Sequence, residues 1–566
     1  MSQNLNIENL SLAWCEVIIE TLMQAGVRRV FFSPGYRDAP FAAAMLGKDL
    51  ELISCMDERA AGYQALGASK FDLKPSALIC TSGTAVANYL PAVIEASQEQ
   101  IPLIIISCDR PPELVHGGAN QTIAQHNILG SYAKESMALP CPEDSLTAPM
   151  LQSMVRGALQ RSLSYPCGVA HLNVPLRGPL EPRAEPSQRF DDFTASKKYL
   201  GSDAISGLSL KEGEGHRIRL KDFIESAERG VLVIGRLPQN VDYDALKAFA
   251  SELGWPVFAD ISSSLKFDLG QLPDAELPAC KDFLESFKPD AILHLGKRLV
   301  SKYWDQFLSQ KKALPYMIVT HEYKEQNPAF TPCQQFQTQD YAFLGDVRCK
   351  GNSDDKLDLS SWCVKAQEVL DADQVLHFPS FANALVASET QSNIFIGNSS
   401  AIRAFDTWLF NVRRRELRVE VNRGASGIEG LVSTAIGLCF ASGEPWDVVL
   451  GDVSMIHDLN ALFQLAQLDL PLRIFVINNA GGQIFKKLPL GSYPEVMDPL
   501  ISTPHSFKFK GICGDASIEY NEICSLLELK ELIARPCVGP HFVEVQINAE
   551  DDLAFYKTIK ELPHGD

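Results

Sequence analysis

Two short polar clusters close apolar runs in a way that could do chemistry: Gly451-Asp452 after VVL, and Asn478-Asn479 after RIFVI. Each run is a stretch of β-branched and aliphatic residues, the pattern of a strand buried on both faces of a parallel sheet. Between them Leu459, Leu462, Phe463 and Ala466 recur at helical spacing, so the unit reads as a right-handed strand–helix–strand crossover. Both clusters then fall at the carboxyl ends of parallel strands, where open α/β sheets bind ligands. One carboxylate, one amide oxygen and nearby carbonyls suit a hard cation such as Mg²⁺, which keeps phosphate oxygens in its remaining positions. A lone Gly-Asp is usually a turn with a helix cap; the asparagine pair one crossover later shifts the balance toward a site. A third candidate is Glu58 in MDERAAGYQALG, just past the apolar run LISCM and ahead of an Ala/Gly-rich helix. A carboxylate in apolar surroundings can share or transfer a proton near neutrality, though an acidic helix cap has the same appearance.

The elements that must position these groups alternate along the whole chain. RVFFSPG, ALICTSG, PLIIISCDRP and GVAHLNVPLRGPLEP read as strands of a first domain, residues 1–182, interleaved with the helices LAWCEVIIETLMQAG and AVANYLPAVIEASQ. Residues 183–215 are polar, rich in Pro, Ser, Lys and Asp and without periodicity, and read as a linker. GVLVIGRLP, PVFADIS, AILHLGKRL and YMIVTHEY supply a central domain, residues 216–355. After the polar stretch GNSDDKLDLSS, residues 370–566 hold NIFIGNS, LRVEVNRGASG, WDVVLGD, RIFVINN and HFVEVQIN. Repeated βα units predict three doubly wound α/β domains with mostly parallel sheets.

Composition narrows the function. At 566 residues the chain has room for roughly three to four domains of about 150 residues each. A net charge of −19 disfavours nucleic acid or an anionic membrane as partner, while local arginines could still take an anionic substrate. No window approaches the ~20 apolar residues of a membrane span, so no integral membrane segment is expected. The start MSQNLNIENLSLAW carries no basic region followed by an apolar core, so no secretory signal is expected either. The 14 cysteines are scattered singly, several inside strand-like runs, as buried reduced thiols of a cytoplasmic protein would be. No strand is followed by GxGxxG opening a helix, which argues against a nucleotide dehydrogenase.

Taken together, SPGYRDAP, MDERAAGYQALG, TSGTAVANYLPAVIEA, DRPPEL with GANQTI, GNSSAIR, NRGASGIEGLVSTAIG, GDVSMIHDLNAL and NNAGGQIF resemble the thiamin diphosphate-dependent enzymes. Within that family they look most like the carboligases of menaquinone biosynthesis. These segments stand in family order from Ser33 to Phe485. The resemblance implies a pyrimidine-binding first domain, a central domain and a diphosphate-binding third domain. Asp452, Asn479 and the carbonyl of Gly481 would hold Mg²⁺ or Mn²⁺. Ser426 and Ile428 would contact the cofactor, Ile428 bending it, and Glu58 would hydrogen-bond its aminopyrimidine from a partner subunit. The implied reaction decarboxylates 2-oxoglutarate and adds the remaining four-carbon unit to isochorismate. Matching positions for carboxylate binding are Arg37, Arg110, Arg403 and Arg423, with Lys302 from the central domain. Tyr36, Asn120, Gln121 and Ser399 would be polar neighbours, and Ile484, Phe485 and Leu488 an apolar wall. A site shared between subunits implies a dimer or tetramer.

The chain departs from the family pattern at four places. Tyr36 stands where a serine is usual, and Asp38 adds an acid beside Arg37. Tyr303 follows Lys302 where an arginine is expected, and Ala480 replaces a frequent third asparagine. These changes leave open another thiamin diphosphate-dependent 2-oxo acid decarboxylase or carboligase with altered substrates.

Overall fold

The computed structural model describes residues 8–142, 146–207, 214–238, 241–269, 274, 277–338, 341–347, 360–409 and 417–562. The extreme N-terminus, read above for a secretory signal, and most of the GNSDDKLDLSS stretch lie outside the described residues. Among the described residues no helix is long and apolar enough to cross a membrane.

Three all-parallel sheets organise the chain. The first contains β1 (Arg29–Ser33), β2 (Glu51–Ser54), β3 (Ser76–Cys80), β4 (Leu103–Asp109), β5 (Ala133–Ala138) and β6 (Val169–Pro175), in the order β2-β1-β3-β4-β6-β5. The second contains β7 (Gly230–Ile234), β8 (Val257–Ala259), β9 (Ala291–Leu295), β10 (Tyr316–Thr320) and β11 (Gln334–Gln337), in the order β11-β10-β9-β7-β8. The third contains β12 (Asn393–Ile396), β13 (Arg418–Glu420), β14 (Trp446–Gly451), β15 (Leu472–Asn478), β16 (Glu519–Ile523) and β17 (His541–Gln546), in the order β13-β12-β14-β15-β17-β16.

Strand alternation builds a core on each face of the first sheet, as a doubly wound fold requires. Val30, Ala77, Ile79, Ile104, Ile106 and Leu172 pack on one side with the helix Leu10–Gln24. Phe31, Leu78, Cys80, Leu103 and Ile105 pack on the other with the helices Glu58–Asp72 and Leu90–Glu99. The central sheet divides the same way, Val231, Val233, Ile292 and Ile318 facing one core and Leu232, Ile234, Leu293 and Val319 the other.

Contacts group the chain into two compact units. One comprises Met1–Ser209 with Asn422–Gly443 and Asp458–Leu468; the other comprises Leu210–Val421 with Glu444–His457 and Asp469–Asp566. In the first unit the helix Leu431–Ser442 crosses the helix Glu58–Asp72 backbone against backbone. A Cβ on Gly67 would lie 1.9 Å from the Thr434 carbonyl oxygen, and one on Gly437 would lie 2.0 Å from that of Gln64. Small residues at these positions are therefore a packing requirement, and they seat the chain entering the second helix, residues 422–430, against the first.

The stretch 183–215, expected as a linker, carries the helix Gln188–Ser196, capped by the Ser187 hydroxyl accepting the Phe190 N–H at 3.2 Å. Its polar sequence hides one buried anchor: Phe193 stacks on Trp14 with ring centroids 5.3 Å apart and joins the first core. Across the stretch around 370 runs the helix Ser360–Ala372, whose Trp362 and Ala366 are buried in a core with residues of both the second and the third sheet. The crossover between β14 and β15 is made by the short helices Asp452–Ile456 and Ala461–Leu468; Leu462 and Leu465 are buried, while Phe463 is 41% exposed.

Candidate active site

In the second unit the chain leaves β14 at Gly451 and turns into the helix Asp452–Ile456, so the Asp452 carboxylate sits at a strand end and a helix start together. Its Oδ1 accepts the Val453 N–H at 2.7 Å, and its Oδ2 accepts the N–H groups of Gly481 at 2.9 Å and Asn479 at 3.2 Å. Burial pushes this carboxyl above its ordinary range, and the Gly481, Val453 and Asn479 N–H groups, together with His505, pull it back. The two asparagines divide the labour. Asn478 braces the turn, donating to Glu544 at 2.7 Å and to the Phe507 carbonyl at 3.2 Å and accepting the Ala480 N–H at 3.2 Å. Asn479 is half-buried and offers its side-chain amide with no hydrogen-bond partner among the described residues. Gly481 has φ +120°, and a Cβ there would meet the Ser502 carbonyl oxygen at 2.4 Å, so only glycine serves. Beyond this turn Ile484 and Phe485 are half-buried and Leu488 is 49% exposed.

His505 is a member of this cluster that motif reasoning missed. Its Nε2 lies 3.3 Å from Asp452 Oδ2 and its ring stacks on Phe507 at 5.1 Å. It comes from an irregular stretch, ISTPHSFKF, whose sequence shows no periodicity to mark it.

Among the described residues no three His, Cys, Asp or Glu side chains converge as a metal cage. The donors present fit a different arrangement: a clasped carboxylate, an uncommitted amide and a carbonyl on a glycine turn, all hard oxygens. Such a set suits Mg²⁺ or Mn²⁺ completed by a diphosphate.

Also in the second unit, Ser399 opens the helix Ser400–Thr407 with φ +69° and ψ −127°, and its carbonyl accepts Arg403 Nη1 at 2.9 Å. Lys302 is exposed at the N-cap of the helix Tyr303–Gln310. Tyr303, in the place expected for arginine, packs against Trp304 and Phe307 with the Lys281 ammonium 5.1 Å over its ring. It is turned into the protein as part of a core.

The first unit assembles a cationic cluster. Arg37 lies just past β1 and its Nη1 donates to the Leu176 carbonyl at 3.1 Å. Burial lowers its pKa, and the nearby Arg110 guanidinium lowers it further. Arg110 donates to the Ser82 hydroxyl and, at 2.9 Å, to the Gln121 carbonyl; Gln121 Nε2 in turn donates to the Ser82 carbonyl at 2.8 Å. Asn120, beside it, is exposed. Beneath the arginines a buried network ties the strand ends together. Asn173 donates to Asp109 at 2.9 Å and accepts from Ser107 and Gln125, each at 2.8 Å, while Gln125 accepts the Gly83 N–H at 2.7 Å.

Asp38, expected to threaten Arg37, does not pair with it. It is fully buried, its Oδ1 accepting the Gly35 N–H at 2.9 Å and its Oδ2 without a hydrogen-bond partner. Burial pushes its pKa up to about 7. Tyr36 points outward, 67% exposed, and donates to Glu181 at 2.8 Å. Glu58 begins the helix Glu58–Asp72 after the N-cap Asp57, half-buried, and its carboxylate accepts no hydrogen bond among the described residues.

The segment 423–428 also belongs to the first unit. Arg423, Ser426 and Ile428 are half-buried, and Ser426 takes φ +60° with its Oγ buried and unpartnered. Gln121, Ser399, Ser426 and Ala480 thus all hold positive φ, and each lies in a different one of the motifs quoted above. Such strain costs about 1–3 kcal/mol per residue and gathers where surrounding structure over-determines a functional loop.

Comparison with known proteins places this architecture among the thiamin diphosphate enzymes. The family models for the N-terminal TPP-binding domain of thiamine pyrophosphate enzymes and for their middle domain match residues 14–128 and 217–396. A benzoylformate decarboxylase from Polynucleobacter necessarius superposes with a TM-score of 0.71 at 16% identity, covering 95% of this chain and 98% of that one, which speaks to the fold.

Curated relatives narrow the family. The 2-succinyl-5-enolpyruvyl-6-hydroxy-3-cyclohexene-1-carboxylate synthase of Syntrophus aciditrophicus (strain SB) is 34% identical, covering 98% of this chain and 99% of that protein. The synthase of the same name from Chlorobium phaeobacteroides (strain BS1) is 32% identical, covering 98% of each. The chain belongs to the 2-succinyl-5-enolpyruvyl-6-hydroxy-3-cyclohexene-1-carboxylate synthase family.

Proposed function

We propose that this chain is a thiamin diphosphate-dependent carboligase that takes 2-oxoglutarate as donor and isochorismate as acceptor. The products are CO₂ and 2-succinyl-5-enolpyruvyl-6-hydroxy-3-cyclohexene-1-carboxylate. The observation that carries the substrate class is the Arg37–Arg110 pair. Both guanidiniums stand at strand ends of the first sheet and donate to neutral groups, Arg37 to the Leu176 carbonyl and Arg110 to Ser82 and the Gln121 carbonyl. The nearby acids accept from other donors, Asp38 from the Gly35 N–H and Asp109 from Asn173 and the Arg110 N–H. Like charges gathered at a strand end are relieved by an anionic ligand, and planar guanidiniums match carboxylates bidentately.

When bound, thiamin diphosphate supplies the electron sink for loss of CO₂ from a 2-oxo acid and transfer of the remaining acyl carbon. The protein's part is position and charge. Asp452, Asn479 and the Gly481 carbonyl would hold a divalent ion and through it the diphosphate, Mg²⁺ being proposed and Mn²⁺ compatible. Ser426 and Ile428 would shape the cofactor pocket. Glu58, whose carboxylate accepts no hydrogen bond among the described residues, would hydrogen-bond a ring nitrogen of the cofactor and hold or release the proton there. Arg37, Arg110, Arg403, Arg423 and Lys302 would divide the substrate carboxylates. Tyr36, Asn120, Gln121 and Ser399 would add polar contacts, and Ile484, Phe485 and Leu488 an apolar wall. Glu58 would act on the cofactor held by a second copy of the chain, which makes a dimer or tetramer the working assembly. The described cysteines are all free thiols, consistent with the cytoplasm as its compartment.

The test is turnover by purified protein loaded with thiamin diphosphate and Mg²⁺, given 2-oxoglutarate and isochorismate. The expected result is one CO₂ per ligated product, identified by mass. Turnover of pyruvate with none of this pair would instead establish an altered 2-oxo acid carboligase.

A further inference from the structure

We propose that Glu95 is a positioning residue for the reaction: its carboxylate clamps the backbone at residues 424–425 and so fixes the loop carrying Arg423, Ser426 and Ile428. This rests on the reading of those three residues as part of the site.

Glu95 lies in the middle of the helix Leu90–Glu99 and is only 2% exposed. Its Oε1 accepts the Gly424 N–H at 2.9 Å and its Oε2 accepts the Ala425 N–H at 2.6 Å. Two consecutive peptide donors thus enter the two oxygens of one planar carboxylate, which sets the direction of the loop as well as its position. The loop is seated directly on the helix: a Cβ on Gly424 would come within 2.9 Å of both the Glu95 carbonyl oxygen and Gln98 Cβ. The residue that leads into the loop is tied down as well. Asn422 accepts from the buried Lys70 ammonium at 3.0 Å and donates to Thr434 Oγ1 at 2.9 Å, and Lys70 lies 3.9 Å from Glu99.

The cost of this arrangement argues for its purpose. Burial, with Glu99 nearby, pushes the Glu95 carboxyl above its ordinary range, and Lys70 and the two loop N–H groups oppose that. A surface turn can satisfy two N–H groups with water at no such expense. Here the very next residue is Ser426, in left-handed backbone with a buried, unpartnered hydroxyl. A loop strained in that way persists only where its neighbours leave it no alternative, and the Glu95 clamp holds the residue immediately before it. Glu95→Gln keeps the shape but sets an N–H against one of the two loop donors, freeing one end of the clamp.

The experiment compares the parent holoenzyme with Glu95→Gln and Glu95→Asp. It reads melting temperature, hydrogen exchange of the 422–430 backbone, and kcat and KM for each substrate. The expected result for Glu95→Gln is a folded protein whose 422–430 exchange is about ten-fold faster or more. Its isochorismate KM should rise at least about five-fold, with Glu95→Asp intermediate. Unchanged exchange in Glu95→Gln overturns the clamp. Faster exchange with unaltered kcat and KM shows that the clamp exists and that Arg423, Ser426 and Ile428 lie outside the site, which removes the reading beneath the proposal. Should Glu95→Gln not fold, Glu95→Asp carries the same comparisons, since its shorter arm cannot reach both donors.

Discussion

The first and third sheets repeat one strand order, yet they place opposite chemistry at their carboxyl edges. At the third sheet, backbone N–H groups from two strand ends close on a single carboxylate, Asp452, and the candidate donors around it are short and rigid. At the first sheet the edge carries two long cations, Arg37 and Arg110, leaning on carbonyls and on Ser82. A metal-bound diphosphate must be approached closely by backbone, whereas substrate carboxylates are met by side chains that reach outward. The central sheet supplies the control. Two of its strand-end cations are spent internally: Arg236 on Glu420 at 3.1 Å, both buried, and Lys297 on Glu322. A strand-end cation is available to a ligand only where no internal acid has taken it, which separates Arg236 and Lys297 from Arg37 and Arg110.

The largest effects should come from breaking the cofactor edge. Asp452→Ala should abolish the rise in melting temperature that thiamin diphosphate and Mg²⁺ give the parent, and turnover with it. Stripping divalent ions with a chelator should do the same reversibly, Mg²⁺ or Mn²⁺ restoring activity. Glu58→Gln separates binding from chemistry. Its kcat should fall about 10²–10⁴-fold, the usual range for a positioned acid–base group, while the cofactor-induced rise in melting temperature is retained. A Glu58→Gln protein with normal kcat would remove Glu58 from the chemistry altogether.

Breaking the cationic edge should instead spare the cofactor and weaken the substrates. A hydrogen bond to a charged group is worth about 1.5–3 kcal/mol, so Arg37→Ala or Arg110→Ala should raise a substrate KM roughly 10- to 100-fold. Measuring both KM values in each variant shows which arginine serves donor and which acceptor. Tyr303→Phe, by contrast, should leave kcat and KM within about two-fold, because the ring lies in a core and not at the edge.

How much of this contrast could be read from the sequence follows from burial. Central strands such as β4, LIIISCD, and β15, LRIFVIN, are covered on both faces and announce themselves as apolar runs. The unanticipated strands, β5 (AKESMA), β11 (QQFQ) and β16 (EYNEI), are all sheet edges with half-exposed, polar residues. Phe193, one buried ring in a polar helix, was hidden for the same reason. At the candidate site, residues inside motifs, such as Asp452 and Arg110, could be singled out from sequence. Those that act across the fold were not: His505 meets Asp452 from 53 positions later in the chain, and Glu95 reaches Gly424 across 329. No spacing rule reports such pairings. Asp38 was legible as a charge but not as a buried one, because sequence does not show which way a turn residue faces.

Asp38 gives the smallest catalytic effect and the sharpest test of why the cationic edge stays cationic. Its pKa in the unfolded chain is that of an ordinary aspartate, near 3.8, and in the folded protein it is raised to about 7 by burial. Between those values the folded state holds a proton that the unfolded state releases. The stability this contributes is complete below about pH 4 and is lost as pH rises through about 7. Asp38→Asn keeps an oxygen for the Gly35 N–H and cannot ionise. Its stability relative to the parent should therefore climb from pH 5 to pH 8, by on the order of 1–3 kcal/mol at about 1.4 kcal/mol per pKa unit. Its kcat/KM should stay within about two-fold, because Arg37 never depended on that carboxylate. If Asp38→Asn instead tightened substrate binding several-fold at pH 8, Asp38 would be screening Arg37 after all, and the first sheet's edge would be less cationic than its geometry implies.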